Sequence, residues 1–204
     1  MSQNTDNKST DNKSIDFYYD YISPASYLAW TQLAGICERT GATINYKPML
    51  LGGVFKQQGT NSPITIPAKW QWMQKDFARY AAHYGVPYQL NPHFVFSTVG
   101  AMRGAIWAQQ QGRVEDYNQA MYTAAWVDGK DLSSPEVLAE VLTDAGFNTE
   151  EVMEAVTQPE IKQALIQACE DAVAQGVFGA PTMIVNGELF FGQDRLEWVE
   201  RALK

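Results

Sequence analysis

Strand-like segments stand at the two ends of this chain, and helical periodicity fills the middle. In IDFYYDYI, residues 15–22, Ile15, Phe17, Tyr19 and Tyr21 fall on one face, while Tyr18 and Ile22 add apolar weight to the other. A strand apolar on both faces belongs inside a sheet covered on both sides. Ser23-Pro24 then supplies an oxygen-bearing cap followed by proline at the first helical position. Ala29, Leu33 and Ile36 make a helical stripe with Trp30 and Cys37 beside it, and Gly41 closes the helix. Residues 42–50, ATINYKPML, read as a second strand, completing a βαβ unit.

Residues 51–67, LGGVFKQQGTNSPITIP, carry three Gly and two Pro and read as a loop. Helical patterns follow over 68–85, 98–112, 115–126, 135–145, 149–156 and 159–175. APTMIV and ELFFG then flank Asn186-Gly187, the strongest short hairpin signal. An amphipathic segment, Arg195 to Leu203, ends the pattern. The order βαβ, helices, ββα predicts an α/β fold in which both ends of the chain build one four-stranded layer, with the helices inserted as a cap. The expected division is a polar, disordered tail over 1–14, an α/β domain from 15–52 and 176–204, and a helical insertion over 53–175.

Composition narrows the function more than the fold. The 204 residues carry 15 basic and 23 acidic side chains, a net charge of -8 with no basic run, which argues against nucleic acid or an anionic membrane as partner. No apolar run approaches the ~20 residues that span a bilayer. The opening MSQNTDNKSTDNKS lacks the apolar core of a secretory signal, so a reduced, cytoplasmic location is expected. Two Cys and two His in no ligand spacing give no reason to expect a metal. Cys37 and Cys169 read as packing residues, and Asp128-Gly129-Lys130-Asp131 as a turn whose spacing fails the calcium-loop pattern.

Ser23 admits two readings. Ser134-Pro135-Glu136 opens another helix with the same dipeptide, so capping alone accounts for a Ser-Pro start. Ser23 differs in following a buried-type strand, at the end where open α/β sheets place ligands, and in having no acid in its first turn. Ser23 as its own nucleophile would need an adjacent base. The two histidines, His83 and His93, lie in the helical region and a Pro-flanked loop, and no G-x-S-x-G elbow surrounds Ser23. In VFGAPTMIVNG, 177–187, a small residue, proline and threonine head a strand, which suggests a constrained turn with a cis Ala180–Pro181 bond, or simply an edge strand that begins with proline.

Ser23-Pro24-Ala25-Ser26 has C-x-x-C spacing, and together with Ala180-Pro181-Thr182 and the element order it resembles the thioredoxin superfamily, in its DsbA-like branch. Serine at both cysteine positions excludes thiol–disulfide exchange by a dithiol of its own. DFYYDYISPASYLA, GTNSP, GVFGAPTMIV and FFGQDRLEWVERAL resemble 2-hydroxychromene-2-carboxylate isomerases and kappa-class glutathione transferases. That resemblance implies glutathione as cosubstrate, with Ser23 catalytic and donating to its sulfur, and Pro24 and Ala25 beside it. It also implies glutathione contacts from Asn61, Lys69, the backbone of Ala180 before Pro181, and Gln193 and Asp194 at the γ-glutamyl end. Asp194 can pair with the γ-glutamyl ammonium while free helix N–H groups take the carboxylate. Trp70, Trp72, Tyr84 and Tyr88 are candidate walls for an aromatic second substrate, aromatics at helical spacing being as readily core. The implied activity is a cis–trans isomerisation of 2-hydroxychromene-2-carboxylate or a related aromatic-degradation intermediate. The alternatives are a kappa-like transferase or peroxidase, and a glutathione-binding protein without turnover. Relatives of this kind suggest a homodimer.

Overall fold

A computed structural model describes residues 13–204. Most of residues 1–14, expected as a polar tail, lie outside the described residues. The first strand, β1, nevertheless begins at Ser14, which pairs with Thr43. Four strands, β1 (Ser14–Tyr19), β2 (Thr43–Pro48), β3 (Thr182–Val185) and β4 (Glu188–Phe191), form one sheet in the order β2-β1-β3-β4. β1 runs parallel to β2 and antiparallel to β3, and β4 pairs antiparallel with β3. Helix α1 (Pro24–Thr40) connects β1 to β2. Between β2 and β3 lie α2 (Leu51–Gln57), α3 (Pro67–Tyr84), α4 (Val99–Gln110), α5 (Val114–Trp126), α6 (Pro135–Asp144), α7 (Thr149–Ala155) and α8 (Pro159–Ala174). Helix α9 (Leu196–Ala202) follows β4. This is the arrangement of βαβ, helices and ββα that the order of elements predicts. Among the described residues, no helix is long and apolar enough to cross a membrane.

The central strand is buried on both faces, as its composition requires. Ile15, Phe17 and Tyr19 join the larger core, which runs through α1, α4 and α5. Tyr18 points the other way and packs with Met49, Val54, Cys169, Ala172 and Val177. In the larger core Trp126 Nε1 donates to Tyr21 O at 2.9 Å, and Tyr21 Oη donates to Asn118 Oδ1 at 2.6 Å. Gly104 permits the closest contact. A Cβ there would stand 1.9 Å from Tyr117 Oη, which donates to Ala101 O at 3.0 Å.

Two local expectations differ from the structure, and Asp20 takes part in both. β1 stops at Tyr19, not Ile22, because Asp20 turns the chain: Ile22 N donates to Asp20 Oδ1 at 3.1 Å and Ser23 N to Asp20 O at 3.1 Å. Residues 51–67 are not all loop. They hold α2 and a 3-10 turn, Pro63–Thr65. Gly52 and Gly53 disfavour a helix, but Leu51 N donates to Asp20 Oδ2 at 2.8 Å, and Val54 is wholly buried against Cys169. Leu50 N donates to Cys169 Sγ at 3.2 Å, so tertiary contacts hold a helix that local propensity does not.

Asp20 also accepts from Thr98 Oγ1 at 2.7 Å, at the start of α4, and is 1% exposed. Burial pushes its carboxyl pKa up, opposed by the donors from Leu51, Thr98 and Ile22. Asp20→Ala strands these donors and is expected to lower the unfolding free energy by about 2–4 kcal/mol, read by urea denaturation. A carboxyl whose pKa is raised in the fold loses stability as pH rises from its unfolded value through its folded one. The advantage of wild type over Asp20→Ala should therefore narrow as pH rises from ~4; a gap that widens would contradict the assignment.

Candidate active site

Ser23 sits where β1 hands over to α1. Its backbone is extended (φ -93, ψ 109), and its Oγ accepts from Ser26 N at 3.1 Å, so the predicted cap is present. The same hydroxyl donates to Ala180 O, 3.2 Å away across 157 residues of sequence. Ser26, at the second C-x-x-C position, is fully buried. The first turn of α1 contains no acidic side chain; the acid at this end of the helix is Asp20, in the turn before Ser23, which lines the same cavity.

The opposite side of the site is built by the turn entering β3 and the turn leaving β4. The Ala180–Pro181 peptide is cis, and Thr182 Oγ1 donates to Gly179 O at 2.8 Å. Gly192 N donates to Pro181 O at 3.0 Å, which brings Gln193 and Asp194 alongside. Gly192 has φ 105, and a Cβ there would lie 2.5 Å from Asp194 Oδ1. Asp194 pairs with Arg195 at 3.0 Å. Gly179 is constrained too, since a Cβ would meet the Phe191 ring at 2.6 Å.

These segments open on one cavity of about 1240 Å³, larger than a single small ligand usually needs. Ser23, Pro24, Ala25, Ala180, Pro181, Gln193 and Asp194 line it, as does Lys69 from α3. Elsewhere the wall is mainly apolar: Phe55 from α2, Trp70, Trp72, Met73 and Phe77 from α3, and Phe94 to Val99 from the segment before α4. Trp70 stacks on Phe94 with ring centroids 4.9 Å apart. The arrangement offers polar backbone and hydroxyl groups beside an aromatic lining; of the two hydroxyls at α-helix starts, Thr98 donates to Asp20 and Ser23 is held by Ala180 O.

Not every candidate residue lines this cavity. Asn61 is exposed between Thr60 and Ser62, which do line it. Tyr84 and Tyr88 are not among the lining residues. Tyr84 Oη instead donates to Gln193 O at 2.7 Å, and Tyr88 stacks on Trp126 with its hydroxyl buried and unpaired. Neither cysteine and neither histidine reaches the cavity. Burial pushes both thiols up in pKa, with Glu115 adding to the effect at Cys37. Asp20, Phe55, Phe178, Phe191 and the 94–99 segment line the cavity without having been singled out in the sequence. An acid inside the aromatic run YYDYI was the available signal for Asp20. The segment FVFSTV offers no pattern distinguishing a cavity wall from a linker.

Comparison with known proteins places the whole described chain in one family. Residues 14–204 match the DsbA-like thioredoxin domain. A 2-hydroxychromene-2-carboxylate isomerase from Sphingobium xenophagum is 34% identical over 94% of this chain and 98% of its own. Glutathione S-transferase kappa 1 from Caenorhabditis elegans is 29% identical over 93% and 90%. The solved structure of a 2-hydroxychromene-2-carboxylate isomerase superposes with a TM-score of 0.85 at 25% identity, covering 93% of this chain and 94% of that one. The chain is therefore a DsbA-like thioredoxin-domain protein, of the enzyme family that includes the 2-hydroxychromene-2-carboxylate isomerases and kappa-class glutathione transferases.

Gly192→Ala combines a strained φ with a clash against Asp194, and should destabilise the fold by about 1–3 kcal/mol. Thermal unfolding checks this. Gly187→Ala is a useful contrast, because that glycine also has positive φ but a Cβ there would meet nothing within 4 Å. The Gly187 variant should be the milder of the two.

Proposed function

We propose that this protein is a glutathione-dependent cis–trans isomerase of 2-hydroxychromene-2-carboxylate or a related aromatic-degradation intermediate, with the Ser23 hydroxyl stabilising the glutathione thiolate. The observation that carries this reading is Ser23 Oγ at the start of α1, whose first turn holds no acid, in a cavity that Phe55, Trp70, Trp72 and Phe94 also line. Glutathione would lie along the polar strip. Its sulfur would face Ser23, its cysteinyl unit would pair with the Ala180 backbone, and its γ-glutamyl end would meet Gln193 and Asp194. Lys69 lines the same cavity, as do Thr60 and Ser62 on either side of Asn61.

The energetics are sufficient. Lowering a thiol from ~8.5 by two units requires about 2.7 kcal/mol of preference for the thiolate. A hydroxyl donating to a charged acceptor contributes about 1.5–3 kcal/mol, and a helix N-terminus about 0.3–1, up to ~2. Ser23 would turn its proton from Ala180 O to the sulfur, and the cysteinyl N–H would replace it on that carbonyl. No general base is required. The thiolate then adds to a conjugated carbon of the ring-opened substrate, and the displaced π electrons pass to its carbonyl as an enolate. Rotation about the resulting single bond and collapse of the enolate expel the thiolate, so glutathione is returned unchanged. A cytoplasmic location suits this chemistry, which consumes no oxidant and needs the thiol reduced.

One observation favours the kappa-transferase alternative. Among the described residues lining the cavity, the cations are Lys69 and Arg195, and Arg195 is paired with Asp194. If Lys69 holds a glutathione carboxylate, no second lysine or arginine remains there for a substrate carboxylate, and a neutral electrophile would fit better. Product analysis separates the two readings: the isomerase leaves free glutathione constant, and the transferase consumes it.

The primary test pairs Ser23→Ala with Ser134→Ala. Both serines cap a helix, Ser134 Oγ accepting from Val137 N at 3.2 Å, and each loss should cost about 1 kcal/mol of stability. Only Ser23→Ala should raise the pKa of bound glutathione, by about 1–2 units, followed as thiolate absorbance in the ultraviolet. Equal thiolate titrations in wild type and both variants would leave Ser23 as a cap alone.

A further inference from the structure

The polar strip of the cavity is held by hydrogen bonds at three successive places. Ser23 Oγ donates to Ala180 O, Gly192 N donates to Pro181 O, and Tyr84 Oη donates to Gln193 O at 2.7 Å. The first two bonds join parts of the α/β layer. The third comes from the last turn of α3, 109 residues from Gln193 in sequence, and ties the helical segment to the turn leaving β4. Gln193 is 7% exposed, so its carbonyl has little access to solvent as a substitute partner. The 192–195 turn is therefore gripped from both sides, by the sheet at Gly192 and by α3 at Gln193.

Tyr84 is built to donate. Burial, with Tyr80 and the Asp194 carboxylate adding, pushes its pKa up to about 12, so the phenol keeps its proton at neutral pH. Its ring packs between Tyr80, at 5.6 Å, and His83, at 5.4 Å, and a phenylalanine would preserve those contacts. Tyr84 thus lies behind Gln193, outside the cavity lining, and fixes the turn without facing the cavity itself.

We infer that Tyr84 is a positioning residue for the thiol cosubstrate, setting selectivity for its γ-glutamyl end by clamping the Gln193 carbonyl. This rests on the glutathione reading of the site. The clamp acts on the turn leaving β4 and makes no bond to Ser23 or Ala180, so its effect falls on how the peptide is held and not on the sulfur. Losing it allows the turn to shift away from the bound geometry, at a cost carried only by ligands that use the turn.

The test measures dissociation constants of wild type, Tyr84→Phe and Tyr27→Phe for glutathione and for cysteinylglycine, which keeps the thiol but lacks the γ-glutamyl unit. Tyr27 is the control for general loosening, because its Oη donates to Pro87 O at 2.5 Å, just beyond the end of α3, without touching the turn. Tyr84→Phe should weaken glutathione about three- to tenfold, the worth of one neutral hydrogen bond, and leave cysteinylglycine unchanged. KM for glutathione should rise by the same factor with kcat at saturation unaltered. Tyr27→Phe should keep the wild-type ratio between the two thiols. If Tyr84→Phe keeps that ratio too, whether or not both thiols weaken, Tyr84 is a structural tie only and the inference fails while the glutathione reading stands. Wild type that binds no glutathione overturns both.

Discussion

A single buried carboxylate sets the geometry on which the rest of this site depends. Asp20 ends β1, makes the turn that delivers Ser23 to the start of α1, and receives the first N–H of α2 and the hydroxyl at the start of α4. Those three segments are walls of one cavity. Ionising a carboxylate at 1% exposure is costly, and the donors converging on Asp20 reduce that cost, although burial still holds its pKa up. The carboxylate and the walls therefore specify each other. Displacing any one segment leaves a buried acceptor short of a donor.

Seen from Asp20, the sheet and the helical block have separate duties at the site. The sheet, with its two turns at Ala180 and Gly192, supplies backbone groups and the helix start, which suit a peptide-like ligand with a thiol. The helices supply Phe55, Trp70, Phe77 and the 94–99 segment, an apolar wall suited to a flat, conjugated molecule. Two features cross between the layers on the polar side, the Tyr84 hydroxyl on Gln193 and the Lys69 side chain in the cavity. On the proposed reading, the apolar wall can vary in sequence while the polar strip stays fixed, a physical reason for isomerases and transferases to share this fold.

Much of the architecture was legible in the sequence because its signals are local. The two Ser-Pro starts, the glycine after α1 and the Asn186-Gly187 hairpin each stand where their backbone chemistry requires. The element order then fixed the layer that both ends of the chain build. What was not legible depends on contacts across the chain. α2 forms over two glycines because Asp20 and Cys169 hold it. Phe94 to Val99 becomes a wall only because α3 lies opposite, with Trp70 stacked on Phe94. Tyr84 was singled out as a wall because helical spacing shows only that a residue faces inward. It cannot show whether the inward side is cavity or neighbouring backbone.

The comparison of Ser23 with Ser134 states the general point most sharply. Both residues precede proline, both have extended backbone, and both accept from the N–H three residues on. Local structure is the same, so any functional difference must come from what each hydroxyl faces. Ser134 Oγ donates to its own helix's Glu136 at 2.7 Å, so the dipole is answered within the turn. The first helical turn after Ser23 has no acid, and the Ser23 proton rests on Ala180 O across the cavity end of the sheet. A hydrogen bond of 3.2 Å to a neutral carbonyl is readily exchanged for one to an anion, which is the stronger acceptor. The same cap motif is therefore closed at Ser134 and open at Ser23, and the proposed thiolate site rests on that difference.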